Sequence, residues 1–220
     1  MCFYLEKYSS YDILVQVKKQ EVVTGIILRA DRHKENDLKL VVLTSDVLIS
    51  VFASGILKPG AKLKGALQLF NIVELTLVGM KVMGAHVVHN SIGLTNEINR
   101  FYLAGLISRF LCYIAKETSN QEIEQIYSLT TSVVILLATT QISVYKIFIL
   151  FFSKLVVILG YNVTEFEHSN SLNEFTNVNL ANLDNIKLSL DIAKECVVAI
   201  KKSYIECLDY ELDVQFLLAK

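Results

Sequence analysis

Gly55-Ile56-Leu57-Lys58-Pro59-Gly60-Ala61-Lys62-Leu63-Lys64-Gly65 is the stretch on which the fold turns. It carries three lysines and no acidic residue, and glycines punctuate it. Pro59-Gly60 suits the centre of a type II turn, because Pro fixes φ and Gly accepts a positive φ. Phosphate-cradling loops lead into a helix. Here the next segment, Ala66 to Val78, is rich in apolar and β-branched residues and reads as a long strand, bent near Asn71.

Upstream of the loop the pattern is also β. Val22 to Ala30 reads as a first strand, with Gly25 marking a bulge. Asp31-Arg32-His33-Lys34-Glu35-Asn36-Asp37 is a charged turn. Leu38 to Thr44 is a second strand, with Leu38, Leu40 and Val42 on one face and Lys39 on the other. Val47 to Ala53 is a third, with Val47, Ile49 and Val51 facing inward and Phe52 out of phase with them. Downstream, Lys81 to Val88 is a fifth strand after a Gly79-Met80 turn. Short strands in succession without a helix between them predict a small antiparallel barrel, and the oligonucleotide-binding (OB) fold is a five-stranded case.

The periodicity changes near Asn90. Thr95 can cap a helix running to about Lys116. Ser119-x-x-Glu122 is a capping box that opens a second helix, to about Thr139. A third spans Ile142 to Leu159, with Gly160 as its C-cap. Asn162 to Asn182 is polar and Asn-rich and reads as a loop. From Ile186 the apolar positions Ile186, Leu190, Ala193, Val197, Ile200, Tyr204 and Cys207 follow one helix face. The fold class is therefore α+β. Residues 1–21 form an extension to which no function is assigned, 22–90 an OB barrel for nucleic acid, and 91–220 a helical domain.

Charge divides along the same boundary. Residues 1–90 carry 11 Lys/Arg against 8 Asp/Glu, and residues 91–220 carry 10 against 14, so a net −1 hides +3 in front and −4 behind. The asymmetry favours an anionic ligand for the front half. Cys2, Cys112, Cys196 and Cys207 form no C-x-x-C pair, so metal-ligand spacing is absent and buried free thiols are expected. The uncharged window Gln125 to Tyr145 is long enough to span a bilayer, but its serines, threonines and glutamines read as a buried bundle helix, with no membrane partner.

Catalytic patterns are missing. His33, His86, His89 and His168 have no cysteine or carboxylate pattern beside them, and no nucleophile elbow, Walker loop or H-E-x-x-H occurs. The cations are the informative residues. Lys58, Lys62 and Lys64 share one loop, and Arg29, Arg32, His33, Lys34 and Lys39 surround the first turn. Closing the strands into a barrel would bring both groups to one rim, where Lys and Arg contact phosphates and release counterions. Asp31, Glu35 and Asp37 within the first cluster point to an ordinary solvated surface there. Phe52 is the best candidate for stacking on a base.

The chain from Val22 onward resembles the RecO family of bacterial recombination mediators. The most specific part is Lys58 to Leu75, in which Leu63-x-Gly65-Ala66-Leu67-Gln68-x-Phe70 and the later Glu74-Leu75 look like the family's segment after its basic loop. Thr24-Gly25-Ile26-Ile27-Leu28 resembles its opening strand, Leu159-Gly160-Tyr161 the end of a helix, and Phe216-Leu217 a Phe-Leu near its carboxyl end. The resemblance implies an OB barrel before a helical domain and a protein that is not an enzyme. It implies binding of single- and double-stranded DNA, annealing of complementary strands, and help from RecR in loading RecA onto coated single strands. It also implies binding of the acidic tail of single-strand binding protein, in the cytoplasm with the nucleoid.

By the same resemblance Lys58, Lys62, Lys64 and Arg29 carry DNA, and Arg100, Arg109 and Lys116 are guesses for cations rimming a pocket for the acidic tail. Many members have a four-cysteine zinc site after Leu-Gly-Tyr. Asn162 to Asn170 here contains no cysteine, so no zinc and no cofactor are expected. Two other readings stay open: an RNA-binding OB protein, and a protein-interaction scaffold that has lost DNA binding.

Overall fold

The computed structural model describes residues 20–115, 118–163 and 166–218. The leader before Gln20 lies outside the described residues, as does Lys116. Five strands, β1 (Gln20–Arg32), β2 (Leu38–Thr44), β3 (Leu48–Ala53), β4 (Ile72–Val78) and β5 (Lys81–His89), close a barrel in the order β1-β2-β3-β5-β4. The expected OB-type sheet is present. β1 is long enough to serve two neighbours: Gln20 to Ile26 pair with β4, and Gly25 to Arg32 pair with β2. Only β3 and β5 run parallel, meeting at Phe52 and Lys81.

Alternation along the strands fills the barrel with Ile27, Leu40, Val42, Val51, Ala53, Val73, Leu75, Leu77 and Val82. Each Val, Leu or Ile among them gains roughly 1.5–3 kcal/mol on burial. Gly25 through Leu28 are buried in succession, against strand alternation. The bulge that permits this lies between Ile27 and Arg29 rather than at Gly25. Ile27 turns into the barrel, whereas Ile26 and Leu28 join Leu43, Phe70 and Ile72 in a second core shared with the helices. Gly25 is required by close packing: a Cβ there would lie 2.5 Å from Val42 Cγ1 and 2.7 Å from the Leu43 carbonyl oxygen.

The sequence expectation for Ala66 to Val78 fails in its first half. Residues 54–71 form consecutive turns, and β4 begins only at Ile72. Asn71 explains the difference. Its side-chain amide donates to the carbonyls of Gly65 and Ala66 at 3.3 and 3.0 Å, and its Oδ1 accepts the Ser91 N–H at 2.9 Å. Such side-chain bonds give the backbone an alternative to a sheet ladder. Phe70, beside it, sits at φ 65°, held by its N–H donating to the Ile27 carbonyl at 2.7 Å.

Among the described residues six α-helices follow a short 3₁₀ segment, Ile92–Asn96: α1 (Ile98–Ile114), α2 (Asn120–Thr139), α3 (Val144–Ile158), α4 (Ser169–Asn177), α5 (Leu190–Leu208) and α6 (Gln215–Leu218). The Ser119–Glu122 capping box opens α2 as expected, and Gly160 follows α3 at φ 85°. Thr95 does not cap α1: its hydroxyl donates to the Ile92 carbonyl inside the 3₁₀ segment. The stretch expected to be a loop holds α4, whose buried Leu172 and Phe175 pack into the helical core around α3. Weak intrinsic propensity is overridden there by tertiary packing. α3 is the centre of the bundle, with Ile147 through Phe152 fully buried. No described helix is long and apolar enough to cross a membrane.

Candidate nucleic-acid interface

The loop 54–71 closes one end of the barrel because its apolar residues point inward. Ile56 and Leu67 are buried in the barrel core and Leu63 packs against it, whereas Lys58, Lys62 and Lys64 are exposed. The apolar residues that interrupt the cations in sequence are thus the anchors that present them. The Lys58 carbonyl accepts the Ala61 N–H at 3.2 Å with Gly60 at φ 75°, which is the turn expected at Pro59-Gly60.

This loop is joined to the β1–β2 turn. Leu57 donates its N–H to the Asn36 carbonyl at 3.0 Å, and Gly55 donates to Asp37 Oδ1 at 2.8 Å. The two basic regions therefore share one rim. Asp37, one of the acids that weakened the charge argument, is occupied by that hydrogen bond. Arg32 and Lys34 are exposed on the turn.

A face of the barrel runs up to this rim. Asp31, Lys39, Phe52 and Lys81 form a row across β1, β2, β3 and β5. Asp31 is neutralised by Arg29, whose Nε lies 2.7 Å from its carboxylate. Among the described residues none of Arg32, Lys34, Lys39, Lys58, Lys62, Lys64 and Lys81 makes an ion pair. Lys81 was missed by the sequence reading, because only the parallel β3–β5 contact brings it beside Phe52. Arg29 is less available than its neighbours. It is paired, and it lines a cleft of about 540 Å³ between β1 and α1, with Phe70, Phe101 and Arg109.

Of the cations guessed to rim a partner pocket, Arg100 is committed inside the helical half. Arg100 is 5 % exposed, and its guanidinium donates to Glu97 Oε2 at 2.7 Å and to the Leu137 and Ile142 carbonyls at 3.1 and 2.8 Å. It fastens the start of α1 to the end of α2 and the link to α3, so its place at a surface rim is corrected. Burial of a charge is tolerated only when its donors are satisfied, and they are. Arg109 is exposed, 3.8 Å from Asp213, and Lys116 lies outside the described residues.

Among the described residues no group of three or more His, Cys, Asp and Glu could hold a metal. Cys196 is buried, and burial, with a smaller push from Glu195, raises its thiol to about 11, so it is an inert core residue.

Residues 19–86 match the family model described as Recombination protein O N terminal. No curated protein matches the chain. The match starts one residue before β1 and ends within β5, so it spans most of the barrel together with the cationic loop. The barrel is similar to the RecO amino-terminal domain, which supports the family resemblance read from Lys58 to Leu75 and relates the chain to proteins of DNA recombination and repair.

Proposed function

We propose, from the similarity of the barrel to the RecO amino-terminal domain, that this protein is a non-enzymatic recombination mediator that binds DNA on the barrel rim. The observation that carries the reading is the hydrogen-bonded junction of the β1–β2 turn with the lysine loop. It collects Arg32, Lys34, Lys39, Lys58, Lys62 and Lys64 at one end of the barrel, with no ion pair among the described residues. Such a surface binds phosphates without regard to sequence. It screens two backbones at once, so that base pairing selects the partner strand, which is an annealing mechanism. Double-stranded DNA binds by the same backbone contacts.

In this reading RecR and the acidic carboxyl tail of single-strand binding protein are protein partners, and the complex helps load RecA onto coated single strands. The protein works in the cytoplasm at the nucleoid. Anisotropy of labelled single-stranded DNA over a salt series tests the DNA part. Binding should weaken with salt, and changing Lys58, Lys62 and Lys64 together to Ala should flatten the log–log slope by about 2. Absence of binding at low salt would overturn it.

A further inference from the structure

We infer that the β2–β3–β5 face carries a stacking subsite for one unpaired base, built by Phe52 and His33 between Lys39 and Lys81, which makes the barrel favour single strands over duplex. The inference rests on the DNA-binding reading above and adds a selectivity that the rim cations alone do not provide.

Phe52 is on the outside of the barrel. Its neighbours Val51 and Ala53 are buried in the interior, and strand alternation turns Phe52 the other way. It belongs to neither apolar core, so nothing in the packing of the described residues demands a large aromatic there. The position is nevertheless rigid. Its N–H donates to the Met80 carbonyl at 2.8 Å, and its ladder partners are Lys39 on β2 and Lys81 on β5. The His33 ring lies 4.7 Å from the Phe52 ring, tilted by 49°, and packs against it on the side of the β1–β2 turn.

Strands neighbour at about 4.8 Å, so Lys39 and Lys81 flank the ring closely on both sides. An aromatic between two cations suits a nucleotide: the ring takes the base, and the amines take the phosphates before and after it. The charges are free for this, since neither lysine is ion-paired among the described residues and Asp31, at the end of the row, is held by Arg29. Phe70 is the other Phe, Tyr or Trp of residues 20–89, and it is buried, so the subsite serves one base. Duplex DNA keeps its bases stacked on each other and offers this ring nothing. The lysines bind either form, whereas the ring acts on single strands alone.

The test uses the full chain, an oligothymidylate of about 16 nucleotides, which is the upper site size of one such barrel, and a duplex of equal length. Phe52→Ala and Phe52→Leu should weaken the single strand by roughly 5- to 150-fold and leave the duplex unchanged. Lys39→Ala with Lys81→Ala should weaken both. The chain has no Trp, so Phe52→Trp supplies a single reporter whose fluorescence should be quenched by the single strand and not by the duplex. Wild-type binding with an unchanged single-strand to duplex ratio in Phe52→Ala and Phe52→Leu would overturn the subsite while leaving the DNA reading intact. Failure of the wild type to bind either form would overturn both.

Discussion

The carboxylate of Asp37 accepts the backbone N–H of Gly55 at 2.8 Å, across 18 residues of sequence. This bond fixes the start of the lysine loop to the β1–β2 turn, and it converts an acid in a proposed anion site into a support. Removing it tests position against charge. Asp37→Ala deletes a negative charge from the rim, which by Coulomb attraction alone would tighten DNA binding. We expect weaker binding instead, by about 3- to 10-fold, with a stability loss of about 1.5–3 kcal/mol for a hydrogen bond to a charged group. Anisotropy and urea denaturation measure the two, and tighter binding would show that the bond does not position the loop.

Arg100 predicts a stability effect without a binding effect. Arg100→Met leaves the Leu137 and Ile142 carbonyls without its donors and should cost about 3 kcal/mol in urea unfolding. Arg100→Lys should recover little of this, because an ammonium cannot reproduce the guanidinium fork. DNA affinity of the folded fraction should be unchanged, and a loss of affinity at full stability would return Arg100 to the site.

Two glycines around the start of the helical half should respond in opposite directions. A Cβ on Gly93 would stand 1.9 Å from the Ala138 carbonyl oxygen, so Gly93→Ala must push the 3₁₀ segment off the end of α2, at about 3 kcal/mol or more. Gly105, inside α1, would meet nothing within 4 Å. Gly105→Ala should gain up to about 1 kcal/mol, the difference in helix propensity. Thermal unfolding of both variants checks the pair.

Tyr204 gives a pH dependence. It is fully buried, and its hydroxyl donates to the Phe152 carbonyl at 2.8 Å. Burial, with a smaller push from Cys207, raises its ionisation well above the ordinary value of 10.0. A folded value above the unfolded one means that the folded state holds its proton longer. The contribution is complete below about pH 10 and is lost as pH rises through the folded value. Tyr204→Phe should cost about 1 kcal/mol at neutral pH and remove this part of the alkaline loss. Urea midpoints from pH 8 to 11 in both proteins would reveal parallel curves if Tyr204 were not the titrating group.

By itself the sequence determined the elements whose signals are local. Strand alternation placed Leu40, Val42 and Val51 inside and Lys39 and Phe52 outside, because side chains in a strand alternate with period two. The Ser119–Glu122 box and Gly160 marked helix ends, because caps are satisfied within a few residues. Pro59-Gly60 marked its turn for the same reason.

The tertiary structure decided what depends on distant partners. The run Ala66 to Phe70 is apolar enough to read as a strand, but Asn71 folds it into turns: its amide donates to the Ala66 carbonyl, and its Oδ1 is held by the N–H of Ser91, twenty residues on. α4 forms from a poor helical sequence because the bundle around α3 supplies the apolar surface for Leu172 and Phe175. Arg100 reads as one more cation on a helix until α2 closes over it. The candidate site divides in the same way. Its lysines and Phe52 were visible as residue types, whereas the addition of Lys81 and the joining of loop to turn came from closure of the barrel, which brings β3 against β5 and Gly55 against Asp37.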